Sequence, residues 1–199
     1  MRIVGIDEVG RGPLAGPVTV CAVSCDEKIY KSLFKNKNLP PLGKDSKKLK
    51  LHDREKFEKF LKQLQKEGKI EFKITHISNL VIDTRGISYS IKKALASSLN
   101  GLKLEINSKI LLDGGLKAPL EFRNQKTIIK GDEKERIIAW SSILAKVSRD
   151  KLLVKLSKKF PGYGLHLHKG YGTKNHRESI KSIGLTSIHR ATFCKKLIS

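Results

Sequence analysis

Two adjacent carboxylates, Asp7 and Glu8, stand at the end of a short apolar segment and are followed by a glycine-flanked arginine. The segment is Ile3-Val4-Gly5-Ile6 and the turn is Gly10-Arg11-Gly12. Acids at the end of a buried strand are costly unless they bind a cation or lie in a wet cleft. Glycines let backbone N–H groups and a guanidinium approach an anion closely. Carboxylates for a metal beside an arginine for a phosphate suggest phosphate-ester chemistry, although an isolated Asp-Glu pair is more often a solvated strand-to-turn junction.

A third acid, Asp113, directly follows the apolar run Ile110-Leu111-Leu112 and precedes two glycines. The pattern places it at the carboxyl end of a buried strand, where ligands commonly bind in α/β sheets. The alternative is a turn-forming aspartate, because Asp-Gly is an ordinary turn signature.

A fourth acid, Asp150, lies on a predicted helix in an otherwise apolar stripe. At 100° per residue the stripe also contains Ile143, Val147 and Val154. A carboxylate in this stripe faces the protein or a cleft and needs a partner. Lys146, four residues earlier, offers a helical ion pair as the simpler interpretation.

The elements that must position these acids are indicated by hydrophobic periodicity and turn residues. The sequence predicts a mixed sheet with helices packed on it. Residues 2–8 and 17–25 are expected to be antiparallel neighbours, and Asp132 could cap a helix with Glu135 completing a capping box. The predicted strands are 2–8, 17–25, 69–77, 109–112 and 127–129, the predicted helices are 52–66, 87–100 and 134–158, residues 35–43 form a loop, and the last 40 or so residues are irregular and partly helical.

Charge and composition restrict the class of partner. The chain has 199 residues, with 41 Lys and Arg against 19 Asp and Glu, which leaves a net charge of +22. Such an excess favours a polyanionic partner, unless a lysine-rich background merely coats every surface. Cys21, Cys25 and Cys194 form no metal-ligand pattern and fit reduced thiols. No apolar run approaches the ~18 residues of a spanning helix, so a cytoplasmic protein without a membrane association is expected.

Several motifs together resemble ribonuclease HII. They occur in family order and cover nearly the whole chain, which makes the joint resemblance specific. The matching segments are Gly5 to Pro17, Asp45-Ser46-Lys47-Lys48-Leu49, Asp113-Gly114, Lys130-Gly131-Asp132, Ser142 to Asp150, His168 to Thr173 and Ile188-His189-Arg190.

The resemblance implies a ribonuclease H-like fold with a mixed five-stranded sheet flanked by helices. Residues 1–158 would form the catalytic domain, and residues 159–199 a small helical C-terminal extension completing the substrate groove. Family enzymes cut the RNA strand of RNA–DNA hybrids and nick duplex DNA 5′ of single ribonucleotides, leaving 3′-hydroxyl and 5′-phosphate ends. The implied active site has four acids and two divalent ions, Mg²⁺ or Mn²⁺, and the enzyme is expected to be a monomer. The acids carried over are Asp7, Glu8, Asp113 and Asp150.

Two-metal chemistry agrees with these residue types, because hard divalent ions prefer carboxylate oxygens. Asp7 is expected to bridge the ions, Glu8 and Asp113 to hold the first, and Asp150 to complete the second. Strict strand alternation would turn Asp7 and Glu8 to opposite faces, so the turn re-aims Glu8 or Glu8 acts through its backbone.

The resemblance also implies how RNA is told from DNA, which differ locally only in the 2′-hydroxyl. Gly10, Arg11 and Gly12 would contact that hydroxyl, largely through backbone groups. Tyr171 would stack on the next sugar, unless it is a half-buried core tyrosine. Ser46 and Lys47 would hold a phosphate of the DNA strand, and four more residues are candidates for the groove: His168, Lys169, His189 and Arg190.

One departure from the family pattern and two rival functions complete the interpretation. Trp140 stands where the family usually has a small residue and could alter the packing of the Asp150 helix. Ribonuclease HIII shares the fold, but it lacks the Gly-Arg-Gly form and adds an N-terminal domain. A basic hybrid-binding protein without catalysis is disfavoured because all four acids are present.

Overall fold

A computed structural model describes residues 1–34 and 49–198, and the side chain of Phe34 is outside this description. Each predicted strand and helix occurs, although β5 begins two residues earlier and ends one residue earlier than predicted, and the predicted loop at 35–43 lies outside the described residues. The strands are β1 (Arg2–Val9), β2 (Val18–Asp26), β3 (Ile70–Ile77), β4 (Lys109–Asp113) and β5 (Gln125–Ile128). The helices are α1 (Glu27–Phe34), α2 (Leu51–Lys66), α3 (Asn79–Arg85), α4 (Ile87–Asn100), α5 (Gly131–Lys134), α6 (Arg136–Lys159), α7 (Leu165–His168), α8 (Lys174–Ile183) and α9 (Ala191–Ile198).

The five strands form one mixed sheet in the order β3-β2-β1-β4-β5. β1 pairs antiparallel with β2, as predicted, and β2 pairs antiparallel with β3. β1 pairs parallel with β4, and β4 pairs parallel with β5. The apolar, β-branched β2 is buried along almost its whole length, as a central strand covered on both faces requires. The predicted mixed sheet with flanking helices is therefore confirmed.

Helices cover both faces of this sheet. On one face, Val4, Ile6 and Leu112 pack with the buried side of α4. On the other face, Ile3 and Leu111 pack with residues of α6. A Cβ added at Gly5 would lie 2.3 Å from the carbonyl carbon of Ile137, so glycine is what permits α6 to approach β1 this closely.

The residues after α6 form three short helices with a small core of their own. That core also contains Ala15, which belongs to the segment between β1 and β2. The backbone joins the two regions, because Leu14 N–H donates to Gly170 O at 2.8 Å and Arg190 N–H donates to Leu14 O at 2.7 Å. The predicted helical C-terminal extension is present, while its assignment as a domain beginning at residue 159 stays a prediction. In the part of the chain that is described, no helix has the length and apolar character to cross a membrane.

Two local predictions on the helices are wrong. Asp132 does not begin a capping box with Glu135, because it lies buried inside α5, whose N-cap is Lys130. Val154 does not continue the buried stripe of Asp150, since 40% of it is exposed. Trp140 is accommodated in the core, where its ring meets Tyr30 edge-on with centroids 5.8 Å apart.

Candidate active site

Parallel pairing brings Asp7 and Asp113 to the same edge of the sheet. The register pairs Ile6 of β1 with Leu112 of β4, so the next residue of each strand is an aspartate. Asp7 is only 4% exposed, and Asp113 is partly buried. The carboxylate of Asp113 accepts a hydrogen bond from Gly131 N–H at 2.6 Å, which ties this acid to the start of α5.

The electrostatics of Asp7 report the crowding of acids around it. Burial raises the pKa of Asp7 well above its usual value, and the charges of Glu8 and Asp113 raise this pKa further. A hydrogen bond from Ser142 on α6 opposes that shift in the pKa. Glu8 therefore contributes to the same electrostatic site, although strand alternation alone would separate it from Asp7. Its carboxylate lies 3.9 Å from the Arg11 guanidinium, with 17% of the side chain exposed.

Asp150 lies on α6, the helix that also supplies Ser142. It is 5% exposed and accepts a hydrogen bond from Lys146 Nζ at 2.9 Å. The helical ion pair considered from the sequence is thus present, and it compensates a carboxylate that burial would otherwise make costly. Burial lowers the pKa of Lys146, while the carboxylate of Asp150 opposes that shift.

Each of the four acids has a protein partner for its charge. Across the described ranges, no group of three or more acidic, histidine or cysteine side chains has the arrangement of a preformed metal site. The chemistry of the donors nonetheless fits hard divalent ions, because all are carboxylates and Asp7 is buried among like charges that a cation would neutralise.

The glycine-flanked turn follows β1 directly. Gly10 has a φ of +87°, and a Cβ there would lie 2.2 Å from Arg149 Nε, so this position demands glycine. An added Cβ at Gly12 would meet no atom within 4 Å, which leaves open space above its backbone. The Arg11 side chain is 63% exposed. The turn therefore presents open space at Gly12 and the exposed cation of Arg11 beside Glu8.

Tyr171 lies beside the Asp150 end of the site. It is 41% exposed, so it is not a core tyrosine. The Lys146 ammonium and the Arg149 guanidinium lie 6.0 and 5.9 Å from the centroid of its ring. An exposed ring flanked by cations is suited to contact a sugar or base of an anionic strand.

Two buried arginines were not recognised from the sequence. Arg149 has no exposed surface and donates to Pro17 O, Lys169 O and Ala15 O at 2.9–3.1 Å. Arg190, predicted to line the groove, is also fully buried, so that prediction is wrong. Arg149 lies next to an acid in a lysine-rich helix. Hydrophobic periodicity alone does not show whether such a cation is buried or lies on the surface.

The histidines predicted for the groove are internal. The rings of His168 and His176 stack with centroids 4.3 Å apart, and His176 Nε2 lies 3.2 Å from His189 Nε2. His189 is 3% exposed, and its Nδ1 accepts a hydrogen bond from Thr186 N–H at 3.0 Å. These groups order the C-terminal segment. Lys169 is half-buried, with Nζ bonded to His166 O, and Ser46 and Lys47 lie outside the described residues.

The sheet order and the acids on β1, β4 and α6 define the class of the protein, a nuclease of the ribonuclease H fold. The sequence model of the ribonuclease HII family matches residues 4–196. The chain belongs to this family and is therefore a metal-dependent endoribonuclease.

Individual relatives agree with this assignment. A ribonuclease HII of Clostridium beijerinckii is 40% identical over 98% of this chain and 68% of its own length. A ribonuclease HII of Caldicellulosiruptor bescii is 42% identical over 99% of this chain and 88% of its own length. The crystal structure of ribonuclease H2 from Pyrococcus horikoshii is similar with a TM-score of 0.73, at 28% identity, and the match covers 99% of this chain and 97% of that one. A ribonuclease HIII structure, at 20% identity and a TM-score of 0.69, shows the shared fold alone.

Neutralising Asp7 should stabilise the protein in metal-free buffer, because its burial and its acidic neighbours make the charged form costly. We expect Asp7→Asn to raise the melting temperature, by about 2–4 °C for each kcal/mol relieved. Divalent metal should then stabilise the wild type more than the variant. Calorimetry with and without Mn²⁺ measures both effects, and a variant less stable than the wild type without metal would contradict the assignment.

The buried histidines should make the protein acid-sensitive. Burial lowers the pKa of His176 to about 4, whereas its ordinary value is 6.5. Between these values the unfolded chain binds a proton that the folded chain does not, so stability should fall as pH drops from 6.5 towards 4. We expect His176→Gln to flatten this dependence in urea unfolding series. His52→Gln, which changes an exposed histidine of α2, is the control and should leave the pH dependence as in the wild type.

Proposed function

We propose that the protein hydrolyses the RNA strand of RNA–DNA hybrids and nicks duplex DNA on the 5′ side of single embedded ribonucleotides. The observation that carries this proposal is the juxtaposition of a buried acid group, an open Gly10–Gly12 turn and an exposed Tyr171 ring. Acids alone would support any metal-dependent phosphodiester cleavage. The turn and the ring add the means to recognise a ribose on one side and a neighbouring sugar on the other.

The catalytic residues in this proposal are Asp7, Glu8, Asp113 and Asp150, which would hold two divalent ions, Mg²⁺ or Mn²⁺. When bound, such ions supply an activated water and neutralise charge on the leaving oxygen. Asp7 would be central to holding the ions, since it is buried and the charges of Glu8 and Asp113 both act on it. A structure of a ribonuclease HIII in complex with Mn²⁺ has the same fold. Cleavage would leave 3′-hydroxyl and 5′-phosphate ends.

Before the ions bind, the partners of the acids would keep the carboxylates in place. Gly131 N–H holds Asp113, and Lys146 holds Asp150. The Lys146 ammonium also lies 6.0 Å from the Tyr171 ring centroid, so it would place a positive charge beside the bound strand. Ser142 would favour the charged form of Asp7 that an ion requires.

The proposal includes further contacts with the substrate. Gly10, Arg11 and Gly12 would meet the 2′-hydroxyl, and Tyr171 would stack on the following sugar. Ser46 and Lys47 are proposed to hold a phosphate of the DNA strand. The net charge of +22 would attract either duplex and make binding weaken steeply with salt.

Replacing single acids should abolish most activity while leaving the fold intact. We expect Asp113→Asn and Asp150→Asn each to lower kcat by at least about 100-fold, beyond the usual 10–100-fold cost of losing a residue that only supports a metal ligand. The measurement is cleavage of a labelled duplex with one ribonucleotide at several Mg²⁺ and Mn²⁺ concentrations. Glu178→Gln, which changes an exposed acid of α8, is the control, and near wild-type cleavage by Asp113→Asn would refute the metal site.

Removing the Tyr171 ring should affect junction substrates more than uniform hybrids. A stacking contact is worth about 1–3 kcal/mol, so Tyr171→Ala should lower kcat/KM on a single embedded ribonucleotide by roughly fivefold or more. A long hybrid offers alternative registers and should lose less. Tyr89 is a matched control, because it is 42% exposed and carries a guanidinium 5.2 Å from its ring centroid. Equal losses on both substrates would mean that Tyr171 serves general binding.

A further inference from the structure

The Arg190 guanidinium grips the backbone of the glycine-flanked turn from inside the protein. Its two Nη atoms donate to Gly10 O at 2.6 Å and Arg11 O at 2.9 Å, and Nε donates to Gly16 O at 3.0 Å. The side chain is fully buried, and no carboxylate of the described residues forms an ion pair with it. All three donor nitrogens of this guanidinium therefore bind carbonyl groups of one segment. Burying a cation in this way costs desolvation free energy.

Fixing these two carbonyls also fixes two N–H groups. In a trans peptide the C=O and the N–H point in opposite directions, and every described peptide bond is trans. Gly10 O shares its peptide with Arg11 N–H, and Arg11 O shares its peptide with Gly12 N–H. Because both carbonyls point inward to Arg190, both N–H groups point outward.

The two outward N–H groups have the character of a donor site. Neither donates a hydrogen bond to any part of the chain that the structure describes. Successive N–H groups with a common direction form a concavity that binds anions and electron-rich oxygens. A charge-assisted hydrogen bond to each carbonyl polarises that peptide group. The N–H of the same peptide then becomes a stronger hydrogen-bond donor. The open space at Gly12 gives a ligand access to this pair.

Arg149 supports the same turn from the opposite side. It fills the space where a Gly10 side chain would lie, and it holds Ala15 O and Pro17 O beyond the turn. Its third bond, to Lys169 O at 2.9 Å, links the turn to the segment that carries Tyr171. The two guanidinium groups thus fix the turn relative to the ring.

We propose that Arg190, backed by Arg149, is a positioning residue that presents Arg11 N–H and Gly12 N–H as a paired donor site for the ribonucleotide 2′-hydroxyl oxygen. This inference rests on the proposed function and deepens it. It assigns discrimination between ribose and deoxyribose to a residue near the C-terminus that touches no substrate.

The test separates ribose recognition from general duplex binding in one assay. Cleavage of a duplex with one ribonucleotide gives KM and kcat, and the all-DNA duplex of the same sequence gives Ki as a competitor. Arg190→Lys keeps the charge but cannot form the planar fork to two carbonyls. We expect kcat/KM to fall roughly five- to tenfold, about the effect of one hydrogen bond, while Ki stays within about twofold.

Tyr163→Phe is the matched structural control. The Tyr163 hydroxyl donates to Ile183 O and Gly184 O in the same C-terminal segment, without contact to the turn. This variant should lose thermal stability yet keep the wild-type ratio of Ki to KM. If Tyr163→Phe changes the ratio of Ki to KM as Arg190→Lys does, then general loosening of the C-terminal segment explains both results. The positioning role of Arg190 would then be refuted.

Other outcomes are equally decisive. A wild type that does not prefer the ribonucleotide duplex over all-DNA would refute the proposed function itself. A folded Arg190→Lys with the wild-type ratio would refute only the positioning role. Should Arg190→Lys and Arg190→Gln both fail to fold, ¹⁵N spectra of the wild type in metal-free buffer decide. The amide signals of Arg11 and Gly12 must shift more with the ribonucleotide duplex than with all-DNA, and equal shifts would overturn the inference.

Discussion

The close approach of α6 to β1 is the constraint on which the site depends. The helix backbone at Ile137 lies where any side chain at position 5 would be, and Ser141 Oγ donates to Gly5 O at 2.7 Å. The next residue of α6, Ser142, forms a hydrogen bond with the carboxylate of Asp7. Two more turns bring Arg149 to the space beside Gly10, and the buried Asp150 follows it. A single helix–strand contact therefore sets where Asp7, Ser142 and the Gly10–Gly12 turn lie relative to one another.

A buried carboxylate and two buried guanidinium groups lie close to the same turn, and the negative and positive charges are stabilised differently. Asp7 is buried among acids, and the cost is visible in its raised pKa. Arg149 and Arg190 are buried and form no ion pair with any residue of the described ranges, and burial lowers the pKa of both guanidinium groups. The charge on Asp7 would be stabilised by a bound cation, whereas the charges on the two arginines are stabilised by hydrogen bonds to carbonyl groups. The first arrangement suits the proposed metal site, and the second holds the turn that is proposed to contact the ribose.

The sequence predicted the sheet and the location of the acids because both have local signals. Apolar runs mark the strands, and an acid directly after such a run must lie at a strand end, as with Asp113. The buried role of Arg149 and Arg190 had no comparable signal. Their partners are backbone carbonyl groups of residues distant in the chain. Every residue has such a group, so the sequence does not mark which carbonyls bind an arginine. The error at Val154 has the same origin, since periodicity gives the face of a helix but not where the neighbouring layer ends.

The C-terminal helices also acquire a physical role from these contacts. Ala15 completes their small core, and His176 Nδ1 lies 2.9 Å from Tyr171 O. The turn after β1 and the segment that carries Tyr171 are thus held by one hydrogen-bonded unit, joined to α6 through Arg149. A ribose and the next sugar lie a fixed distance apart along a strand, so a reader and a stacking ring must keep a fixed spacing to act together. Rigid connection of these two segments meets that requirement better than two independent loops would, because neither has to be ordered again when substrate binds.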